Sequence, residues 1–165
     1  MKHSKSIKII EQEISQEFEM FDTWMEKYEY LIDLGKQLEK FPDEWKTEDN
    51  KIHGCQSSVW FKTGLENNLF TCSAVSDSAI VSGLIALLMR IYNNKNPRDI
   101  VETEPSFISL IGLSEHLSTT RNNGLNLMIK KIKQDAGLIV KNISVSYTHL
   151  RAHETPEHLV CRLLL

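Results

Sequence analysis

"SSVWFKTG" at residues 57–64 and "LFTCSAV" at residues 69–75 are the two stretches that decide the fold. In both, aromatic and β-branched side chains alternate with polar ones, a period of two that is typical of strands with one buried face. The four residues between them, "LENN", form a short polar connection. We therefore predict an antiparallel β-hairpin.

The segment that follows the hairpin, "SAIVSGLIALLMRIY" at residues 78–92, is apolar nearly all round. Such a composition predicts a helix buried at the centre of the domain. Ser76 and Asp77 are good candidates for its N-cap, because short polar side chains accept hydrogen bonds from the first helical N–H groups.

Helices are also predicted before the hairpin. Apolar residues at steps of three and four mark one face of the first of them: Ile7, Ile10, Ile14, Phe18 and Phe21. Asp22 or Thr23 caps a second helix. Between this helix and the hairpin lies an acidic, aperiodic segment, which predicts a surface connection.

More helices are predicted after the central one. Asn96 followed by Pro97 is a helix-start signal. The last helix is predicted to begin at Ser118 or Thr119 and to end at Gly137, a residue type that commonly terminates helices. Its inward face is formed by four apolar residues: Leu125, Met128, Ile129 and Ile132. The predicted fold class is α+β, a short antiparallel three-stranded sheet packed by several helices.

Length and composition indicate one soluble domain, which we place at residues 1–140. The chain has 165 residues, of which 41% are hydrophobic and 25% are charged. A net charge of -3 gives no reason to expect a nucleic-acid or anionic-membrane partner. No apolar run approaches the roughly 18 residues that a membrane span needs, and the start has no secretory or transit signal. We expect a cytoplasmic protein whose three cysteines form no disulfide framework.

The segment 146–165, "SYTHLRAHETPEHLVCRLLL", differs in composition from the rest of the chain. It resembles translated adapter or vector sequence. We therefore exclude it, with Cys161, from functional reasoning.

The two remaining cysteines differ in context. Cys72 lies mid-strand, in phase with Phe70 and Ala74, and is predicted to be a small buried hydrophobe. Cys55 follows Gly54, where the acidic connection meets the first strand, so its side chain can reach outward.

Three chemistries could use the Cys55 thiol. With His53 it could supply two ligands to a metal, although a structural zinc site needs four and a catalytic one needs three. With His116 as a base it could act as a nucleophile. As a single exposed, mobile thiol it could accept a sulfur atom as a persulfide and pass it on.

The residues around Cys55 carry a family resemblance. "IHGCQSSVWF" at residues 52–61 resembles the active-site loop of the SufE family, and three further blocks resemble other segments of that family in the same order. They are "WMEKYEYLIDLGKQL" at 24–38, "VSDSAIVSGLIALL" at 75–88 and "LSEHLSTTRNNGLNLMI" at 113–129. Together the resemblance covers roughly residues 14–136.

The resemblance implies a fold shared with IscU-type scaffolds and a specific role. Members take sulfur from a SufS-type cysteine desulfurase, which uses pyridoxal phosphate, and hold it as a persulfide on the loop cysteine, here Cys55. They stimulate the desulfurase and pass the sulfur to a Suf-type iron–sulfur scaffold. Two other functions stay open: a docking module that activates a desulfurase without carrying sulfur, and an IscU-like metal or cluster scaffold. The scaffold is disfavoured because IscU-type proteins use three cysteines.

The resemblance also assigns candidate roles around Cys55. Gly54 and Gln56 match the motif and are expected to shape the loop and its contacts. Arg121 matches the family arginine at the start of the last helix, and we expect it to contact a partner, pair with a carboxylate or remain a solvated charge.

Two neighbours of the loop receive weaker assignments. Helix capping accounts for Asp77, so any recognition role for it is secondary. The resemblance carries no role onto His53, which we keep as a possible partner contact, although a charged imidazole so near the thiol could lower its pKa. We expect no metal and no resident cofactor, and homodimerisation is left open.

Overall fold

The computed structural model of the protein describes residues 5–164, with side chains described for residues 5–147. Among these residues the elements follow in the order α1 (Ile7–Glu19), α2 (Trp24–Lys36), a 3₁₀ turn (Asp43–Trp45), β1 (Val59–Glu66), β2 (Leu69–Ser76), α3 (Ala79–Tyr92), α4 (Pro97–Glu102), α5 (Phe107–Leu110), α6 (Leu113–His116) and α7 (Thr119–Leu164). The fold is α+β, as the sequence predicts.

The predicted hairpin is confirmed. Strands β1 and β2 pair antiparallel from Val59↔Ser76 to Glu66↔Leu69. The turn residues Asn67 and Asn68 have φ of 51° and 63°. Two successive left-handed residues match the twist of the strands, and asparagine tolerates that conformation well.

The sheet has two strands within the described residues, so the predicted third strand is wrong. On one edge only a single bridge forms, between Lys51 and Trp60, and on the other a single bridge joins Phe70 and Lys95. Neither bridge extends into a ladder. After Lys51 the chain turns away at Gly54, and after Lys95 it enters a helix at Pro97. A β-ladder needs several consecutive extended residues, and neither edge provides them.

Helix α3 is the central helix, as predicted. Nine of its residues are buried. It crosses α2 closely, since a Cβ at Gly83 would lie 2.2 Å from the Leu31 carbonyl oxygen and one at Gly35 would lie 2.7 Å from the Gly83 nitrogen. Two glycines therefore let these helix backbones approach to a distance that any side chain would prevent.

The N-cap of α3 is Ser78, and the prediction of Ser76 or Asp77 is wrong. The Ser78 hydroxyl accepts the Val81 N–H. The cap lies one or two residues later than predicted because Ser76 is still paired with Val59 in the sheet. The Asp77 carboxylate instead accepts a hydrogen bond from the Ser58 N–H. The predicted caps at Thr23 and Asn96 are confirmed, the first as a complete capping box with Glu26.

Helix α7 lies along the domain and bears the predicted inward face, with Leu125, Met128, Ile129 and Ile132 buried. It is tied to β1 where the Thr63 hydroxyl donates to Asp135 at 2.7 Å. The predicted stop at Gly137 is wrong, because the helix continues to Leu164. Gly137 has no left-handed φ, and a glycine within a helix costs only about 1 kcal/mol relative to alanine.

Candidate functional site at the Cys55 loop

The Cys55 loop is fixed at both ends. At its start the Ile52 N–H donates to the Val59 carbonyl at 2.9 Å. At its end Ser58 and Asp77 bond reciprocally: the Ser58 N–H donates to Asp77 Oδ1 at 3.1 Å, and the Asp77 N–H donates to the Ser58 carbonyl at 3.3 Å. We call residues 53–57, between these two anchors, the acceptor loop, after the role that the family resemblance implies for Cys55.

Asp77 is therefore a loop anchor rather than a helix cap. The acidic side chain lies at the end of β2 and reaches across to the N–H that follows the acceptor loop. Capping by Ser78 leaves this carboxylate available. Sequence patterning could not separate the two roles, because both use the same short acceptor side chain.

Gly54 turns the chain at the start of the acceptor loop. Its φ of 97° is a conformation that residues with a side chain rarely adopt. A Cβ at Gly54 would also lie 3.0 Å from Leu127 Cδ1 on α7. Both backbone conformation and space therefore favour glycine here.

Cys55 lies half-buried and packs at the margin of the core. Burial raises the pKa of its thiol above the ordinary value. A neutral thiol is a weak nucleophile. In the position described, the Cys55 thiol is therefore a weaker nucleophile than an exposed one.

A cavity of about 520 Å³ adjoins the thiol. It lies between the acceptor loop and the N-terminal ends of α3 and α7, and it brings together four predicted residues: Cys55, Gln56, Asp77 and Arg121. Its remaining lining comprises hydroxyl and apolar side chains with one glycine: Ser57, Val59, Ser78, Val81, Leu84, Ser118, Thr120, Gly124, Leu125 and Met128.

Arg121 is exposed on the first turn of α7, and its backbone N–H donates to the Ser118 hydroxyl. No carboxylate lies within 4.0 Å of its guanidinium among the side chains described, so the expected carboxylate pairing is not present there. Gln56 is exposed at the rim. The partner contact of Arg121 stays a prediction.

The His53 side chain does not face the Cys55 cavity. It is exposed, and its Nε2 lies 3.7 Å from Glu48 Oε2. It lines a separate depression with Asp49, Lys51 and Leu127. It does not line the Cys55 cavity, so the structure gives it no part in lowering the thiol pKa.

The groups that the two alternative chemistries need are not brought together at Cys55 among the described residues. His116 is stacked on Trp24, with ring centroids 3.8 Å apart, and it does not line the Cys55 cavity. Among the described residues, no group of three or more His, Cys, Asp or Glu is placed to hold a metal ion.

Cys72 is buried as predicted. Its side chain is 5% exposed, and its Sγ lies 3.4 Å from Met89 Sδ. Burial raises the pKa of Cys72 to about 12. Cys161 lies outside the residues whose side chains are described.

Sequence reasoning missed the α7 residues against which the acceptor loop rests. A Cβ at Gly124 would lie 3.3 Å from Cys55 Sγ, and Leu127 one turn later meets Gly54. The available signal was a glycine inside a predicted helix, which disfavours the helix and therefore needs a packing reason.

Comparison with known proteins places the chain in a family. A family model described as "SufE: Fe-S metabolism associated domain" matches residues 12–136. An uncharacterized SufE-like protein of Rhizobium meliloti is 39% identical over 129 residues, covering 75% of this chain and 92% of that protein. A second one, from Rhizobium etli, is 37% identical over 129 residues, covering 75% and 87%.

A solved structure shares the fold. The solution structure of a hypothetical protein from Thermus thermophilus matches with a TM-score of 0.67 at 16% identity, covering 80% of this chain and 96% of that one. In the part of the chain that is described, no helix combines the length and apolarity needed to cross a membrane.

Proposed function

Because the chain belongs to the SufE family, whose domain is associated with Fe–S metabolism, we propose that it is a sulfur acceptor acting through Cys55. Cys55 takes persulfide sulfur from a cysteine desulfurase. The protein stimulates that enzyme and passes the sulfur to a Suf-type iron–sulfur scaffold. The pyridoxal phosphate belongs to the desulfurase in this proposal.

One observation carries the proposal: a single thiol lies in the middle of a short loop whose two ends are anchored and whose inner side faces a cavity. The anchors keep the rest of the domain fixed while five residues move. Such a loop can present the thiol to a partner and take it back again.

The transfer is an exchange at sulfur. The Cys55 thiolate attacks the outer sulfur of the desulfurase persulfide, and a new S–S bond forms. The original S–S bond breaks, and its electron pair leaves with the desulfurase cysteine as a thiolate. The outer sulfur keeps its proton. One S–S bond replaces another, so no oxidant or reductant is consumed, and Cys55 becomes the persulfide.

Protonation favours reaction in the outward position. Burial holds the pKa of the inward thiol above its ordinary value, so little thiolate is present there at neutral pH. Movement of the acceptor loop into the partner's site removes that burial. The reactive form is then produced where the donor persulfide lies.

The test is the intact mass of the protein after incubation with a cysteine desulfurase and free cysteine, followed by thiol blocking. We expect a gain of about 32 Da, the mass of one sulfur atom. Cys55→Ser removes the gain. Cys72→Ala keeps it and serves as the matched control, because that thiol is buried in the core.

Other outcomes point to other functions. If wild type gains no mass but still stimulates desulfurase turnover, the protein is a docking module. If Cys55→Ser keeps the full mass gain, Cys55 is not the acceptor. If purified protein contains stoichiometric zinc or iron by metal analysis, the scaffold function replaces the proposal.

A further inference from the structure

Gly124 occupies an unusual place in α7. It is buried in the first turns of a helix, where glycine is less favourable than alanine. It has no positive φ, a conformation found only at Gly54 and Gly112 among the described glycines. The backbone therefore does not require glycine here, and the reason has to be space.

The space is taken by the reactive sulfur. A Cβ at Gly124 would lie 3.3 Å from Cys55 Sγ, tighter than an ordinary van der Waals contact. The sulfur would have to move a few tenths of an ångström to admit a methyl group. Since the thiol is on the acceptor loop and Gly124 is on a long helix, the loop yields first.

A second contact lies one turn along the helix. Leu127 is half-buried and packs against the core, and its Cδ1 lies 3.0 Å from the position that a Cβ at Gly54 would take. The loop glycine thus fits against a helix side chain, and the loop thiol fits against a helix glycine. The two complementary contacts fix how close the acceptor loop lies to α7.

We propose that Gly124 is a positioning residue for the acceptor thiol and that, with Leu127, it sets the depth at which Cys55 rests. A larger residue 124 displaces the thiol outward. Loss of the Leu127 side chain releases the loop backbone. The proposal deepens the proposed function, on which it rests for its biological meaning, but its test does not require sulfur transfer.

The test compares Gly124→Ala with Gly137→Ala in the full chain. Both replace a glycine of α7, but a Cβ at Gly137 meets its nearest atom, Val101 Cγ2, only at 4.0 Å. Each variant is alkylated with iodoacetamide in the native state, and the rate at Cys55 is read from the tryptic peptide of residues 52–62. This peptide separates Cys55 from the other two cysteines.

Gly124→Ala is expected to react roughly three- to tenfold faster than wild type, because a less buried thiol ionises more readily. The midpoint of its rate–pH profile should move to lower pH. A purely structural glycine would not move this midpoint. The other charged groups that line the cavity, Asp77 and Arg121, are the same in all variants.

Gly137→Ala should match wild type in rate and midpoint. Leu127→Ala removes atoms instead of adding them, and it should also react faster; it decides the test if Gly124→Ala does not fold. An unchanged rate in Gly124→Ala, or an equal rise in Gly137→Ala, overturns the proposal. If these rates behave as expected while no persulfide forms with a desulfurase, the proposed function fails and the positioning role stands.

Discussion

The acceptor loop and strand β2 each hold one cysteine, and the two thiols are held in opposite ways. Cys72 is enclosed by the core next to Met89, and its strand is paired along its whole length. Cys55 lies half-buried on the five residues of the acceptor loop, whose two ends are held by hydrogen bonds. Burial raises the pKa of both thiols, and Cys72 is the more enclosed of the two.

Burial alone therefore does not distinguish the two cysteines. What distinguishes the two is the cost of exposing each one. Exposing Cys72 requires opening the sheet against α3, whereas exposing Cys55 requires movement of one loop against α7. Three measurements test this contrast, and the expected effects differ in size.

The largest effect is expected in alkaline stability. Above pH 9 the unfolded chain loses the Cys72 proton, while the folded chain keeps it until about pH 12. The free energy of unfolding should therefore fall as pH rises between these values. Three pH units at about 1.4 kcal/mol each give a loss of about 4 kcal/mol by pH 12.

Urea unfolding at intervals from pH 8 to pH 12, in wild type and Cys72→Ala, isolates this effect. The variant should lose less stability over the range, and Cys55→Ala should follow wild type more closely. Tyr92, whose pKa burial also raises, is present in all three proteins and cancels in the comparison. Parallel curves for wild type and Cys72→Ala would show that Cys72 is not held protonated.

The second effect is the ratio of native alkylation rates. At pH 8 we expect Cys55 to react at least about a hundredfold faster than Cys72, since each pKa unit changes the thiolate fraction tenfold and enclosure adds a further barrier. Peptide mapping measures both rates in one sample. In 6 M guanidinium chloride the two rates should become similar. Similar rates in the native protein would mean that the fold protects the two thiols equally from alkylation.

The smallest effect is expected at the loop anchor. Asp77→Ala removes the acceptor for the Ser58 N–H and loosens the end of the acceptor loop. Because a single exposed hydrogen bond contributes about 1 kcal/mol, Cys55 alkylation should rise about two- to fivefold. Asp77→Asn keeps an acceptor oxygen and should stay near wild type. A rise in the asparagine variant alone would point to charge instead of the hydrogen bond.

Much of the fold could be predicted because local signals decide it. The alternating strands, the two asparagines of the turn and the caps at Thr23 and Asn96 each depend on nearby residues. The third strand could not be judged in this way, because an edge becomes a strand only if several neighbours extend together. The prediction that the last helix ends at Gly137 was wrong because glycine permits a helix end without enforcing one.

The site divided along similar lines. The turn at Gly54 could be predicted from its local context, and the burial of Cys72 from its phase in the strand. The bond between Asp77 and Ser58 spans 19 residues of sequence, and the contact of Gly124 with Cys55 joins a helix to a distant loop. Neither leaves a periodic or capping signal in the sequence, so both required the three-dimensional structure.

The two anchors of the acceptor loop also set a tether length. Cys55 is three residues from Ile52 and three from Ser58, and a fully extended chain spans at most about 3.6 Å per residue. While both anchors hold, the Cys55 Cα can lie no more than about 11 Å from either of them. A partner that receives this thiol must therefore bring its own reacting sulfur close to the domain surface, and a donor at the bottom of a deeper cleft would have to admit the edge of the domain as well as the loop.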